Sequence, residues 1–370
     1  MKILFTRDLN TADSLIESVA RTHEVCVLSI RAQELKSRMH ATQVVSVSEH
    51  PQWLVKLAAL YNSQTVPPVY LSDFPASVNK FRPDVLVLME CTRLDLFQAL
   101  AYKRRNPTCR LVLWTETKRL PRQFLTRLMM RFFLRAVRKN LHLFSHILTY
   151  TDAGASFWGM QVRGQVPISV IPAAADVTLF YPDPDKEWMP EGQLRILMNA
   201  RYVPFKRHVD LLDALVLLSA EGFDFSLTLI GSGKEGRPEV EKMAAERELT
   251  NQVSFLDPVP REKARGLYVG QDVVVLPSYN EALGLVIPEA MACGVPTITS
   301  DTVGANVYVQ EGETGFIFRT YDVNALADCI RRISMPSVLE RMGREARVRI
   351  ESGFTTAALS AKLVRALTHG

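Results

Sequence analysis

The sequence predicts an α/β protein made of two Rossmann-like, doubly wound units in series, and three observations predict it. Short apolar, β-branched runs alternate with longer stretches of helical spacing along the whole chain. The 370 residues exceed what one hydrophobic core usually serves, so two units of about 150–200 residues fit the length. Prolines and acids interrupt the rhythm in VIPAAADVTLFYPDPDKEW, which places a boundary around residues 172–190.

Taken in order, KILF, EVCVLSI, DVLVLM, RLVLW and SHILTY read as strands of the first unit, and RILMN, SLTLI, VSFL, DVVVLP and PTITS as strands of the second. Helical spacing of apolar residues marks 11–22, 93–104, 206–221, 238–248 and 322–333, with two further helices between Ser337 and Leu367. The expected division is 1–172 and 190–353, with 354–370 crossing back to the first unit and hinges near 172–190 and 353. Alternating strands and crossover helices give parallel sheets, whose ligands sit beyond the carboxyl ends of the strands.

Composition excludes several classes. Apolar residues make up 47% of the chain and charged residues 22%, with no low-complexity tract, so the whole chain should fold. The opening MKILFTRDLN lacks the apolar core of a secretory signal, and no segment carries about 18 uninterrupted apolar residues, so a cytoplasmic location is expected. Five cysteines, an odd and scattered set without a CxxC pair, argue against a disulfide framework and a structural zinc. All eighteen glycines lie from Gly154 onward. Close backbone approach to a phosphate normally uses glycine, so a nucleotide site belongs in the second unit; tight turns built from Asn and Asp in the first unit are the plainer reading of the same asymmetry.

Two constellations carry chemistry. In PSYNEALGLVIPEAMACGVP, residues 277–296, a loop after a strand leads into a helix, and the unpaired N–H groups of such a junction attract anions or sugar hydroxyls. Glu281 and Glu289 bracket it. In NARYVPFKRHVDLL, residues 199–212, Arg201 and Lys206 flank a bend at Pro204 beyond another strand end, where two cations can meet the charge of a departing diphosphate. Singly, each has a second reading: Glu289 as a first-turn partner of the helix dipole, Glu281 as loop solvation, and the Arg and Lys as a solvated face.

Occurring together and in order, these motifs resemble the retaining glycosyltransferases of family 4, which have the GT-B fold of two Rossmann-like domains facing a central cleft. Glu281 to Glu289 reproduces the E-x7-E motif of that family, and Arg201 with Lys206 matches its R-x4-K motif. LIGSGKEG is similar to its glycine-rich turn and VIPAAADVTLF to its interdomain segment. The likeness covers roughly 145–335; the first unit matches only in rhythm. The resemblance implies a hexosyltransferase acting in processes such as polysaccharide biosynthesis, with a UDP- or GDP-type sugar as substrate and no cofactor or metal. It implies that Arg201 and Lys206 stabilise the leaving diphosphate, Glu281 orients the donor sugar and Glu289 binds ribose. The N–H groups of Leu283, Gly284 and Leu285 would contact sugar hydroxyls or phosphates, and Gly231 and Gly233 would let the backbone approach the nucleotide.

The acceptor half departs from the family. TRDLNTADS replaces the usual glycine-rich turn, and LVLWTETKR carries no histidine where relatives have one. Glu116 stands closest to that place and is the candidate acceptor-side residue, with a first-turn carboxylate or a structural hydrogen bond as the plainer reading. The next segment, 118–140, holds eight Lys or Arg and no acid, more positive charge than the net +5 of the whole chain. Arg127, Arg131, Arg135 and Arg138 stripe one helix face, and apolar residues including Phe132 fill the others. Such a helix can lie on the anionic inner face of a cell membrane and meet a glycan, glycolipid or lipid-linked acceptor, or it can pack its apolar side on the sheet. Nucleic acid is a poorer partner, since the charge is confined to one helix without interleaved stacking aromatics. His208, beside Lys206, reads as a surface histidine of a first helical turn. Competing with an active transferase are a non-catalytic scaffold of the same fold, which would tolerate degraded motifs, and an epimerase or phosphorylase, whose extra groups are not identifiable.

Overall fold

A computed structural model describes residues 1–6, 12–29, 32–36, 39, 42–46, 49–50, 70–71, 73–121, 124–233, 235–279 and 281–368. The chain divides into two compact units, Met1–Ala174 with Thr356–Gly370, and Ala175–Thr355.

In the first unit, strands β1 (Lys2–Phe5), β2 (Glu24–Ser29) and β3 (Gln43–Ser46) precede a two-stranded antiparallel pair, β4 (Glu49–His50) and β5 (Tyr70–Leu71). Then come β6 (Val85–Met89), β7 (Arg110–Thr115), β8 (Phe144–Thr149) and β9 (Ile168–Val170). The main sheet runs β3-β2-β1-β6-β7-β8-β9, all parallel. Every residue of Val85–Met89 is buried, as expected of a central strand with helices on both faces. The terminal helix Thr356–Thr368 packs on the helix Asp13–Ala20 and buries Leu359, Leu363 and Leu367.

The second unit holds β10 (Leu194–Asn199), β11 (Phe225–Ile230), β12 (Val253–Leu256), β13 (Val273–Leu276), β14 (Thr297–Ser300) and β15 (Gly315–Phe318). Their order is β12-β11-β10-β13-β14-β15, again all parallel. Sequence order reverses direction between β10 and β13, and in such sheets the loops leaving the two strands diverge to opposite faces and open a crevice at their carboxyl ends. The first sheet has the equivalent point between β1 and β6. Helices form at the expected places, among them Asp95–Arg105, His208–Ala220, Arg237–Glu246 and Val323–Ile333. All five cysteines are buried free thiols.

The packing of the terminal helix gives a direct test. Leu363 is fully buried, and Leu363→Ala removes all of its side chain beyond Cβ from the core, so unfolding of the first unit should become easier by about 2–4 kcal/mol. Urea denaturation followed by tryptophan fluorescence, reported by Trp114 and Trp158 of that unit, measures it.

Candidate functional site

The site residues of the second unit come from the loops that leave β10 and β13. After β10 the chain turns through a short 3-10 segment, Pro204–Lys206, and Arg207 takes a left-handed φ of 58° before the helix His208–Ala220 begins. An ion pair from Arg207 to Asp210 holds that bend. The Arg201 guanidinium and the Lys206 ammonium both lie against the Phe205 ring, 5.9 and 5.4 Å from its centroid. The two cations thus share one aromatic neighbour.

The loop after β13 is tied to this one by its backbone. Tyr279 N–H donates to the Phe205 carbonyl at 2.7 Å, and the Glu281 carbonyl accepts from Gly304 N–H at 3.0 Å. Gly284 has φ +60° and is buried; a Cβ there would lie 3.0 Å from Leu276 Cδ2 and 3.2 Å from Ala305 Cβ, so both conformation and space call for glycine. Leu283 and Leu285 flank it, half-buried, and Leu285 caps the helix Val286–Ala292 that carries Glu289.

These ties bring Lys206 and Glu281 into a direct ion pair, with side chains 11% and 16% exposed. Burial, and then the charge of Arg201, push the Lys206 ammonium down to about 8. At about 8 the lysine is still charged at neutral pH, where it meets the Glu281 carboxylate. Glu289 forms a second cluster. Its Oε1 accepts from Arg261 Nε at 3.0 Å and its Oε2 from the Tyr268 hydroxyl at 2.9 Å. Burial pushes its carboxyl up, and Arg261 and Tyr268 oppose that.

Other expected residues fall differently. Gly231 is required by the protein's own backbone, since a Cβ there would sit 1.9 Å from the Ala200 carbonyl oxygen; Gly233 has φ +99°. His208 is buried rather than superficial: it is 4% exposed, stacks on Tyr202 with ring centroids 5.2 Å apart, and its Nε2 has no hydrogen-bond partner among the described residues. An aromatic neighbour and the Ala200 backbone draw the imidazole inward, which a first-turn position alone does not reveal.

In the first unit, Glu116 lies in the turn after β7, half-buried. Its N–H donates to the carboxylate of Glu90, which also accepts from Thr115 Oγ1 at 3.0 Å and Thr117 Oγ1 at 3.2 Å. Glu90 itself has φ +76°, rare for a side chain of that size. The basic helix Phe124–Lys139 has one apolar face packed and another in solvent. Met130, Phe133, Leu134 and Val137 are buried, while Phe124, Leu125, Leu128 and Phe132 are 76, 73, 57 and 58% exposed. Arg131, Arg135 and Arg138 are exposed; Arg127 is half-buried and its Nε donates to the Pro121 carbonyl at 2.9 Å. No helix among the described residues is long and apolar enough to cross a membrane.

Sequence reasoning missed Glu90, Asn199, Phe205, Tyr268 and Arg261 as parts of these clusters. Asn199 and Phe205 alone had a local signal, since both lie in the 199–212 stretch that carries Arg201 and Lys206.

Comparison with known proteins bears on the second unit above all. Residues 182–349 match the family model for glycosyl transferases group 1. The chain is 32% identical over 210 residues to a D-inositol 3-phosphate glycosyltransferase of Corynebacterium glutamicum, covering 53% of this chain and 50% of that one. It is 33% identical over 180 residues to one of Streptomyces avermitilis, 46% and 39% of the two chains. The chain therefore spans about half the length, or less, of the curated relatives it matches. Among solved structures, Anabaena Alr3699/HepE in complex with UDP superposes with a TM-score of 0.77 at 18% identity, covering 100% of both chains. Sucrose-phosphate synthase from Thermosynechococcus elongatus gives 0.76 at 19%, covering 99% of this chain and 98% of that one. The fold is GT-B, with two parallel-sheet Rossmann-like units.

The buried His208 predicts a pH effect on stability. Burial and Lys206 push its imidazole down to about 4, below the unfolded value of about 6.5. As pH falls through that window the unfolded state takes up the proton first, so native stability is intact above about 6.5 and lost toward about 4. Between pH 7 and 4.5 the wild type should lose about 2–3 kcal/mol more unfolding free energy than His208→Gln. Equal losses in urea titrations would place the histidine elsewhere.

Proposed function

We propose that this chain is a retaining, metal-independent glycosyltransferase that moves a hexose-type sugar from a UDP- or GDP-sugar to a glycan, glycolipid or lipid-linked acceptor. The observation that carries the reading is the Arg201–Lys206–Glu281 cluster at the carboxyl end of β10 and β13, inside the stretch that matches the group 1 glycosyl transferases. The UDP held in the HepE complex and the glycosyltransferase names of the curated relatives favour the same chemistry.

In this reading the donor diphosphate takes the place of the Glu281 carboxylate on Lys206. Arg201 and Lys206 then neutralise charge as the bond from the anomeric carbon to the phosphate oxygen breaks, which fixed cations in a desolvated site do better than water. Glu281, released from the lysine, orients the sugar hydroxyls. The acceptor hydroxyl bonds to the anomeric carbon on the face that the phosphate leaves, and its proton passes to the leaving phosphate oxygen. Configuration is retained. Glu289 receives the ribose hydroxyls, and the N–H groups of Leu283, Gly284 and Leu285 meet sugar or phosphate oxygens. Built-in cations remove the need for a metal.

Acceptor binding is assigned to the first unit, with Glu116 as its candidate side chain. The helix Phe124–Lys139 is assigned to an anionic membrane surface. Phe124, Leu125, Leu128 and Phe132 are left in solvent by the packing of the opposite face, and Arg131 and Arg135 lie beside them, matching lipid headgroups in charge.

Arg201→Ala, Lys206→Ala and Glu281→Ala should each reduce sugar transfer by about a hundredfold or more without loss of folding; an Arg201→Ala/Lys206→Ala enzyme with near-normal turnover would end the leaving-group assignment. Because Lys206 must be charged in the free enzyme, kcat/KM for the donor should fall about tenfold per pH unit above about 8, and EDTA should leave it unchanged. Sedimentation with vesicles containing anionic lipid should be strong at low salt and weak in high salt or in Phe132→Ser/Leu128→Ser; no sedimentation at low salt removes the membrane assignment.

A further inference from the structure

The carboxylate of Glu289 is a meeting point of several separated segments. Arg261, from the turn after β12, donates to Oε1, and Tyr268, from the helix Ala264–Val269, donates to Oε2. Behind Tyr268, Asn199 at the end of β10 donates its Nδ2–H to the phenol oxygen at 3.4 Å. Phe180, fully buried, braces both donors: its ring packs edge-on to Tyr268 with centroids 5.8 Å apart, and the Arg261 guanidinium lies 5.0 Å from its centroid. Tyr268 is fully buried, and burial beside Glu289 pushes its phenol well up, which keeps it a donor.

An ionised carboxylate accepts about four hydrogen bonds, two on each oxygen. Among the described residues, protein donors fill one on each oxygen of Glu289, so each oxygen can accept one more. A vicinal diol offers two hydroxyl donors side by side and fits that remaining capacity in number and spacing. A single hydroxyl does not. We propose that Tyr268 and Arg261, with Asn199 supporting the tyrosine, are positioning residues that hold the Glu289 carboxylate for both ribose hydroxyls of the donor, and so set discrimination between ribo- and 2′-deoxyribonucleotides. The proposal rests on the donor-site reading above and adds the residues through which Glu289 acts.

The electrostatics agree with the geometry. Burial alone favours the protonated carboxyl, which could not accept on both oxygens; Arg261 and Tyr268 favour the anion. Removing either donor therefore weakens the acceptor and frees the carboxylate to rotate. Phosphate affinity is carried by other side chains and should not change.

Calorimetry on the full chain tests this with UDP and GDP, their 2′-deoxy counterparts and inorganic pyrophosphate. For whichever base binds, the wild type should prefer the ribonucleotide by about tenfold or more, the worth of a hydrogen bond to a charged group. In Tyr268→Phe and Arg261→Ala the ribonucleotide should weaken by about tenfold while the 2′-deoxy form and pyrophosphate hold, bringing the ratio toward one. Glu289→Gln should collapse the ratio equally, and Tyr268→Phe added to it should change nothing more. Arg261 is half exposed, so its variant keeps the test alive if the buried tyrosine variant fails to fold. A wild-type ratio preserved in Arg261→Ala and in folded Tyr268→Phe overturns the proposal. A wild type that binds ribo- and deoxy forms equally overturns it as well, through Glu289. Absence of any nucleotide binding by the wild type would instead overturn the donor-site reading itself.

Discussion

Strands β10 and β13 lie side by side although β11 and β12 come between them in the chain, and the Arg201–Lys206–Glu281 cluster of the second unit depends on that pairing. Parallel pairing aligns the two strand ends, so the loops that follow start from the same edge. The bond from Tyr279 N–H to the Phe205 carbonyl then fixes one loop against the other. Without it, Arg201 and Lys206 would be two cations on a solvated bend and Glu281 an acid on another. With it, side chains far apart in sequence share one site. Gly284, confined by Leu276 and Ala305, sets where the second loop turns into its helix, and so where Glu289 stands.

Charge at this edge is balanced within the protein. Placing an ammonium in a site that is only 11% exposed costs free energy, as the lowered Lys206 shows, and Arg201 adds to the cost. Glu281 offsets it. A surface pair of this kind would contribute little; a pair this enclosed attracts more strongly through a lower effective dielectric but also carries a larger desolvation cost, so its weight lies in what is lost when one partner is removed. Lys206 is thus stable with its own counterion in place, and a ligand that displaced Glu281 would have to bring a negative charge for the lysine and hydrogen-bond donors for the freed carboxylate.

The alternation of apolar runs and helical stretches made the architecture legible, because buried parallel strands must be almost wholly apolar and their crossovers must be amphipathic. That Arg201, Lys206 and Glu281 stand at strand ends was legible for a similar reason, each lying in the loop that follows an apolar strand. What was not legible came from longer range. Arg261 and Tyr268 reach Glu289 from other elements, and a tyrosine just ahead of an apolar strand reads as core. His208 looked superficial because the stacking of Tyr202 lies outside its own helix. Gly231 pointed to a ligand, but the closer demand is that of the Ala200 carbonyl. The apolar residues of the basic helix divide between the core and solvent because four of them suffice to anchor it, and four more remain outside.

The first unit follows the same logic with different residues. Its sheet reverses between β1 and β6, and Glu90 stands at the carboxyl end of β6 in a left-handed conformation that costs of order 1–3 kcal/mol for a non-glycine residue. Such strain persists only where the surroundings over-determine it. Here the carboxylate accepts from a backbone N–H and two hydroxyls of one turn, Thr115–Glu116–Thr117, and these donors oppose the upward push of burial on its carboxyl. A glycine at position 90 would relieve the strain and lose all three bonds, so the conformation is retained for what the side chain holds. What it holds is the turn that carries Glu116, at the edge where a ligand of this sheet belongs. In both units, then, a carboxylate fixed by donors from the neighbouring strand's loop organises the carboxyl edge: Glu281 through the charged Lys206, and Glu90 through neutral donors.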